Sequence, residues 1–227
     1  MTVLDAGCGT GSITAGIAAS VGPSGRAVGI DRDDSLIAIA RQEHGGVANL
    51  TFEWAALLEL PAGPRYDIVT AARLVQWISE PGDAIRRLAA ATKPGGAVVV
   101  LDYNHELNSW APEPPAGFRR FYQAFLDWRA ANGWDNMMAD HLTQHFEAAG
   151  LREISSIVED EIAHRGEAGF DAVSAIWLQV IQSLGAKVMP DEGERRRAED
   201  AYREYVDAGL ETQRLRLRCV TAVTRAD

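Results

Sequence analysis

The sequence predicts an α/β protein built on a doubly wound parallel sheet. Three observations carry that prediction. Short apolar runs alternate with helix-periodic segments from the N-terminus through residue 101. The first run, Val3-Leu4-Asp5-Ala6, passes at once into Gly7-Cys8-Gly9-Thr10-Gly11 and then into an apolar-periodic stretch. The last run, Arg214 to Thr224, alternates like a strand with two unlike faces.

The glycine loop comes first. Glycines at spacing two let the backbone adopt φ > 0 and let a ligand approach with no Cβ in the way. The helix that follows offers unpaired N–H groups to a carboxylate or phosphate. Ile13, Ile17, Ala18 and Val21 give that helix one apolar face, and Gly22-Pro23-Ser24-Gly25 ends it. Arg26 to Ile30 is a second strand, closed by Asp31. A carboxylate at a strand end can accept hydrogen bonds from both hydroxyls of a ribose. It can also cap a helix, and Asp33 or Asp34 can do the same for the next one, Ser35 to Glu43.

Asn49 to Trp54 is the third strand and Tyr66 to Ala72 the fourth. Ser79 to Thr92 is a helix striped by Ile85, Leu88 and Ala89, and Lys93-Pro94-Gly95-Gly96 stops it. Ala97 to Leu101 is nearly all apolar, as suits a strand covered on both faces.

The regular alternation then breaks. Asp102-Tyr103-Asn104-His105-Glu106 leaves the carboxyl end of the fifth strand, where an open sheet places its ligand crevice. Trp110 and a Pro-rich loop precede a helix striped by Phe118, Phe121, Tyr122, Phe125 and Trp128. Such a stripe is core packing, the roof of a pocket, or both. Asn136 to Ala149 is a further helix, and Ile154 to Glu161 a sixth strand. Two amphipathic helices fill a second insertion, about Arg165 to Gln213. In the last strand Leu215, Leu217 and Cys219 share one face, and Arg214, Arg216 and Arg218 share the other. The arginine face reads as solvated, with an anion site as the alternative.

Composition narrows the function. The 227 residues are 47% hydrophobic and 24% charged, enough for one domain with insertions. A net charge of −10 argues against a nucleic-acid duplex, whose phosphates it would repel. Two cysteines fit a reducing compartment, and no apolar run approaches membrane-spanning length, so a cytoplasmic protein is expected. His141 and His145 sit four apart without an evident third ligand, and no metal is predicted.

The stretch Leu4 to Gly11, LDAGCGTG, resembles motif I of the class I S-adenosylmethionine-dependent methyltransferases, in their small-molecule branch (type 11/25-like). The resemblance implies that Gly7, Cys8, Gly9 and Gly11 line the methionine part of the cofactor, with Asp5 near its ammonium. Asp31 matches the acidic residue that holds the ribose, with Arg32 beside it. Thr51 to Pro61 resembles the third segment, whose usual adenine-binding Asp is replaced here by Ala56. Backbone groups of Ala56 and Leu57 are left to read the base. Tyr66 to Ile78 resembles the fourth segment, which implies Arg73 beside the cofactor and Gln76 and Trp77 toward the substrate.

The resemblance covers about residues 2 to 102 by motif and the rest by topology. It implies a Rossmann-like sheet of seven strands in the order 3-2-1-4-5-7-6, the last antiparallel. The whole chain, 1–227, is then one domain, with insertions at about 104–133 and 165–213 forming a helical cap. Relatives usually carry a helical segment ahead of the first strand. Either this chain lacks it or the cap is built from the insertions.

The implied activity is methyl transfer from S-adenosylmethionine to a small, partly apolar acceptor, leaving S-adenosylhomocysteine. Tyr103, Trp110 and Tyr122 are placed on the acceptor side. His105 is the candidate base, because imidazole titrates near neutral pH; the alternative is that it only hydrogen-bonds the Pro-rich loop, with Tyr103 and Trp77 shaping the pocket without proton transfer. A homodimer is left open. One alternative is a cofactor-binding but non-catalytic subunit, suggested by Ala56. Another is a nicotinamide-dependent oxidoreductase, which the glycine spacing opposes: the dinucleotide pattern needs glycine where Ser12 stands.

Overall fold

The computed structural model describes residues 1–61 and 63–226. The chain divides into two compact units. The first comprises Met1–Asp102, Met138–Ile157 and the segment from Arg218 onward. The second comprises Tyr103–Met137 and Val158–Leu217.

In chain order, β1 (Thr2–Ala6) leads into α1 (Ser12–Val21). Then come β2 (Arg26–Asp31), α2 (Asp34–His44), β3 (Leu50–Trp54), β4 (Tyr66–Ala72), α3 (Pro81–Ala91) and β5 (Thr92–Tyr103). β6 (Ser109–Ala111), α4 (Ala116–Ala131), α5 (Met138–Ala148), β7 (Arg152–Val158) and β8 (Glu161–His164) follow. The chain ends with α6 (Phe170–Ser174), α7 (Ile176–Val188), α8 (Glu192–Glu204), β9 (Thr212–Leu215) and β10 (Leu217–Val223).

Seven strands of the first unit form one sheet, ordered β3-β2-β1-β4-β5-β10-β7, with one strand antiparallel. This is the expected spatial order, with β10 and β7 in the places of strands seven and six. β1 is central and its residues from Val3 to Ala6 are buried. One layer of core joins Leu4, Ile30, Val69 and Val100 to Ile85 and Leu88 of α3 and Phe146 of α5. The other joins Ala27, Leu50 and Phe52 to Ala18 of α1 and Ile37 of α2. Full burial of each large aliphatic or phenyl side chain contributes roughly 1.5–3 kcal/mol.

Several boundaries and faces differ from the sequence reading. Periodicity turns Ile13 inward, yet it is 48% exposed, while Thr14 and Ala18 are buried. The Thr14 hydroxyl donates to Asp5 Oδ2 at 2.7 Å, which sets the rotation of α1. β5 starts at Thr92 directly after α3, so Pro94-Gly95-Gly96 lies within the strand, where pairing with β4 shifts register. The expected sixth strand is β7, and β8 belongs elsewhere.

The last strand is two strands, parted at Arg216. Its N–H donates to Asn108 Oδ1 at 2.7 Å, and its carbonyl accepts from the Asn104 N–H at 2.9 Å. β9 joins β6 and β8 in a three-stranded antiparallel sheet of the second unit, a sheet the sequence did not disclose. The arginines do not form a merely solvated face. Asp160, its side chain 4% exposed, accepts from Arg214 Nε at 2.7 Å and from Arg216 at 3.5 Å. Arg218 Nε donates to Asp140 Oδ1 at 2.5 Å. A buried carboxylate needs such partners, because desolvation otherwise disfavours its charge.

Among the described residues no helix is long and apolar enough to cross a membrane, and no group of three or more potential ligands could hold a metal ion.

Candidate cofactor site

The loop after β1 carries three glycines with positive φ: Gly7 (72°), Gly9 (55°) and Gly11 (86°). The Gly7 and Cys8 N–H groups both donate to the Ile30 carbonyl, at 2.8 and 2.9 Å. This draws the loop over the end of β2. The reasons for glycine differ by position. A Cβ on Gly7 would lie 2.8 Å from Leu74 Cδ1, and one on Gly11 would lie 2.5 Å from Phe52 Cζ. A Cβ on Gly9 would meet nothing within 4 Å. Gly7 and Gly11 therefore serve the protein's own packing, whereas at Gly9 the backbone is open, with none of the described residues beyond its chain neighbours against the Cβ position.

Asp31 closes β2 and faces this loop. Its Oδ2 accepts the Gly9 N–H at 2.9 Å, and its Oδ1 accepts the Asp33 N–H at 2.9 Å. Helix capping falls to Asp33, whose Oδ1 accepts the Ser35 and Leu36 N–H groups at 2.9 and 3.4 Å. The two roles open to an aspartate here are thus divided between two aspartates. Each Asp31 oxygen keeps a further acceptor lone pair for a hydroxyl.

Asp5 is 2% exposed. Thr14 Oγ1 donates to its Oδ2 at 2.7 Å and Thr70 Oγ1 to its Oδ1 at 3.0 Å. Thr70 is its partner in the β1–β4 register, which puts the two side chains on one face of the sheet. Burial raises the Asp5 pKa above the ordinary carboxylate value, the two hydroxyls oppose that rise, and the Asp31 charge adds to it. Cys8 is buried in the same loop. Its thiol is pushed up to about 12, first by burial and then by the charges of Asp5 and Asp31. Such a thiol is inert as a nucleophile.

The Ala55 N–H donates to the Asp31 carbonyl at 3.0 Å, tying the end of β3 to the end of β2. Ala56 then opens a 3-10 turn, Leu57–Glu59, in which Leu57 is buried. Arg32 is exposed, and its carbonyl accepts from Trp54 Nε1 at 3.0 Å. Arg73, at the end of β4, holds φ 60°, a left-handed conformation that costs a side-chain-bearing residue about 1–3 kcal/mol. Its N–H donates to the Leu101 carbonyl at 2.7 Å. The Gln76 N–H donates to Asp102 Oδ2 at 3.0 Å, and its Nε2 to the Arg73 carbonyl at 3.3 Å. Gln76 is 2% exposed, so its amide is turned into the protein, while Trp77 is half-buried. Local sequence pattern does not mark Thr14, Thr70, Trp54 or Asp102 as hydrogen-bond partners of these candidate residues. Register, which no local pattern encodes, is what brings Thr70 to Asp5.

The remaining candidate residues belong to the second unit. His105 is 6% exposed, its ring stacked on Tyr103 at 5.2 Å and set edge-on to Phe125 at 5.4 Å. Burial, and then the Arg129 charge, hold its pKa well below the ordinary histidine value. The imidazole is therefore neutral at physiological pH and a weak base. The Tyr122 hydroxyl donates to the His105 carbonyl and accepts from Asn108 Nδ2 at 3.1 Å. Trp110 Nε1 donates to Gln213 Oε1 at 3.0 Å. Gln213, fully buried, also accepts from the Tyr202 hydroxyl at 2.9 Å and donates to the Val173 carbonyl at 2.8 Å. Phe118, Phe121 and Phe125 of α4 are core.

The methyltransferase domain family matches residues 1–150. The ubiquinone/menaquinone biosynthesis C-methyltransferase UbiE of Ectopseudomonas mendocina is 34% identical over 106 residues, 45% of this chain and 41% of that protein. The chain thus spans less than half the length of that relative. The ubiquinone biosynthesis O-methyltransferase of Nitrobacter winogradskyi is 27% identical over 192 residues, 82% of this chain and 70% of that one. The crystal structure of the [4+2]-cyclase SpnF superposes with a TM-score of 0.62 at 22% identity, over 100% of this chain and 76% of that one, which shows a common fold. Other solved chains of this fold hold S-adenosylmethionine or S-adenosylhomocysteine. On the match across residues 1–150, the chain belongs to the family of class I S-adenosylmethionine-dependent methyltransferase domains.

Proposed function

We propose that this domain moves a methyl group from S-adenosylmethionine to a small, partly apolar acceptor. The observation that carries the reading is the Asp31 carboxylate clasped to the Gly9 amide, where the loop backbone is open to a ligand. The residues present fit the cofactor. The Gly7–Gly11 loop seats its methionine part, with Cys8 in the loop wall and Asp5 behind it. Asp31 takes the ribose hydroxyls on its remaining lone pairs, and Arg32 and Arg73 flank the nucleoside. Backbone groups at Ala56 and Leu57 read the base, and Gln76 and Trp77 lie toward the acceptor. When bound, the cofactor supplies a methyl group already activated by its sulfonium. The protein's part is to align donor and acceptor and to exclude water. His105, neutral and weakly basic, is a positioning group in this reading.

The acceptor class rests on the relatives, whose names join methylation at carbon or at oxygen to ubiquinone or menaquinone biosynthesis. The net charge of −10 supports a small-molecule acceptor over a nucleic acid. The scarcity of cysteine suits work in the cytoplasm. A second reading, binding without methyl transfer, draws on Ala56 and on a neighbour of the same fold that is named a cyclase.

Calorimetry with S-adenosylhomocysteine, followed by labelled S-adenosylmethionine offered with phenols, catechols, quinols and amines, tests both. Binding with label transfer to a member of the panel is expected. Absence of binding overturns the whole reading, and binding without transfer to any class favours the second.

A further inference from the structure

Trp54 is the most exposed large apolar side chain among the described residues, at 61%. Its indole is nevertheless fixed. Nε1 donates to the Arg32 carbonyl at 3.0 Å, so the ring reaches from the end of β3 across the end of β2. In the parallel register Trp54 is the partner of Asp31, and the next residue, Ala55, donates its N–H to the Asp31 carbonyl at 3.0 Å. A large aromatic surface is thus pinned at the strand end that carries the Asp31 carboxylate. Two residues on stands Ala56, with no polar side chain to offer a base.

Resting on the cofactor reading above, we propose that Trp54 is a binding residue for the nucleoside, stacking its indole on the adenine ring. An adenosine held by its ribose at Asp31 has its base at this same end of the sheet. Every nucleobase presents a π-face, so stacking needs no matched donor or acceptor and can serve where position 56 offers none. The hydrogen bond to Arg32 holds the ring before the ligand arrives, which reduces the ordering cost of binding.

The test is calorimetry of S-adenosylhomocysteine with the wild-type chain, Trp54→Phe and Trp54→Ala. The side chain is exposed, so both variants should fold, and thermal melts check this. Trp54→Ala is expected to weaken binding roughly 5–150-fold, and Trp54→Phe, which keeps a ring but loses the bond to Arg32, to stay within about threefold of wild type. 5′-Methylthioadenosine, which lacks the amino-acid end, should show the same Ala-to-wild-type ratio. Equal losses in Phe and Ala would mean that the indole only pins Arg32, and unchanged affinity in Ala would mean that it does not touch the base. Either overturns the stacking role while leaving the cofactor reading intact. Failure of the wild-type chain to bind overturns both.

Discussion

The Asp31 carboxylate accepts the Gly9 amide at 2.9 Å, across 22 residues of sequence. One bond joins the carboxylate assigned to the ribose to the loop assigned to the methionine part. Asp31→Ala is expected to weaken S-adenosylhomocysteine binding by about 1.5–3 kcal/mol, the range for hydrogen bonds to a charged group. It should also lower the melting temperature, because the Gly9 and Asp33 amides both lose an acceptor. Unchanged calorimetry would remove the ribose assignment.

The three loop glycines should fail in different ways. Gly11→Ala meets Phe52 at 2.5 Å and adds left-handed strain. It is expected to destabilise the fold by about 1–3 kcal/mol from overlap, with about 1–2 more from the backbone. Gly9→Ala has open space and carries only the backbone cost, yet it places a methyl group where the cofactor should lie. Its stability in melts should fall by that backbone cost alone, about 1–2 kcal/mol and less than for Gly11→Ala, and its cofactor binding should disappear. If Gly9→Ala binds normally, the space beside Gly9 is not the cofactor site.

Ala56→Asp restores the carboxylate that the third segment usually carries. Tighter binding of S-adenosylhomocysteine is expected, by about the net value of one charge-assisted hydrogen bond, 1.5–3 kcal/mol. An unchanged or weaker dissociation constant would show that the adenine amino group is already satisfied.

His105 should leave a signature in stability rather than in chemistry. Burial holds its folded pKa well below the ordinary imidazole value of about 6.5 that an unfolded chain would show. Above pH 6.5 both states are neutral at this residue, and its contribution is fully present. As pH falls below about 6.5 the unfolded chain takes up a proton that the native one refuses, so stability drops with a slope approaching 1.4 kcal/mol per pH unit. Denaturant melts at pH 7, 6 and 5 should show this loss, and His105→Gln should flatten it. The same variant should lower turnover by less than about tenfold, whereas a general base would cost roughly 10²–10⁴-fold. A loss in the larger range would return His105 to the role of base.

Much of the fold was legible because its signals are local. The apolar run Tyr66–Ala72 coincides with β4 to the residue, and the sequence bounds of the strand, glycine loop and helix from β1 through α1 agree within a residue or two. Apolar runs, glycine punctuation and caps are each encoded within a few neighbouring positions. Asp31 was legible for the same reason, as a carboxylate closing an apolar run at a set distance from the loop.

By itself, then, the sequence determined the strand–loop–helix unit, the alternation through residue 101 and, by resemblance, the order of the sheet. Tertiary structure decided where polar groups went. Thr70 meets Asp5 across 65 residues, and Asn108 takes the Arg216 amide across 108, which splits the last strand in two. Asp160 gathers Arg214 and Arg216, and Asp140 takes Arg218, where alternation alone predicted a solvated face. The physical reason is common to all of these. An apolar residue is satisfied by burial against almost any neighbour, so its periodicity is informative. A buried carboxylate, amide or backbone N–H is satisfied only by a specific partner at hydrogen-bond distance, and the chain supplies that partner from wherever the fold brings it near.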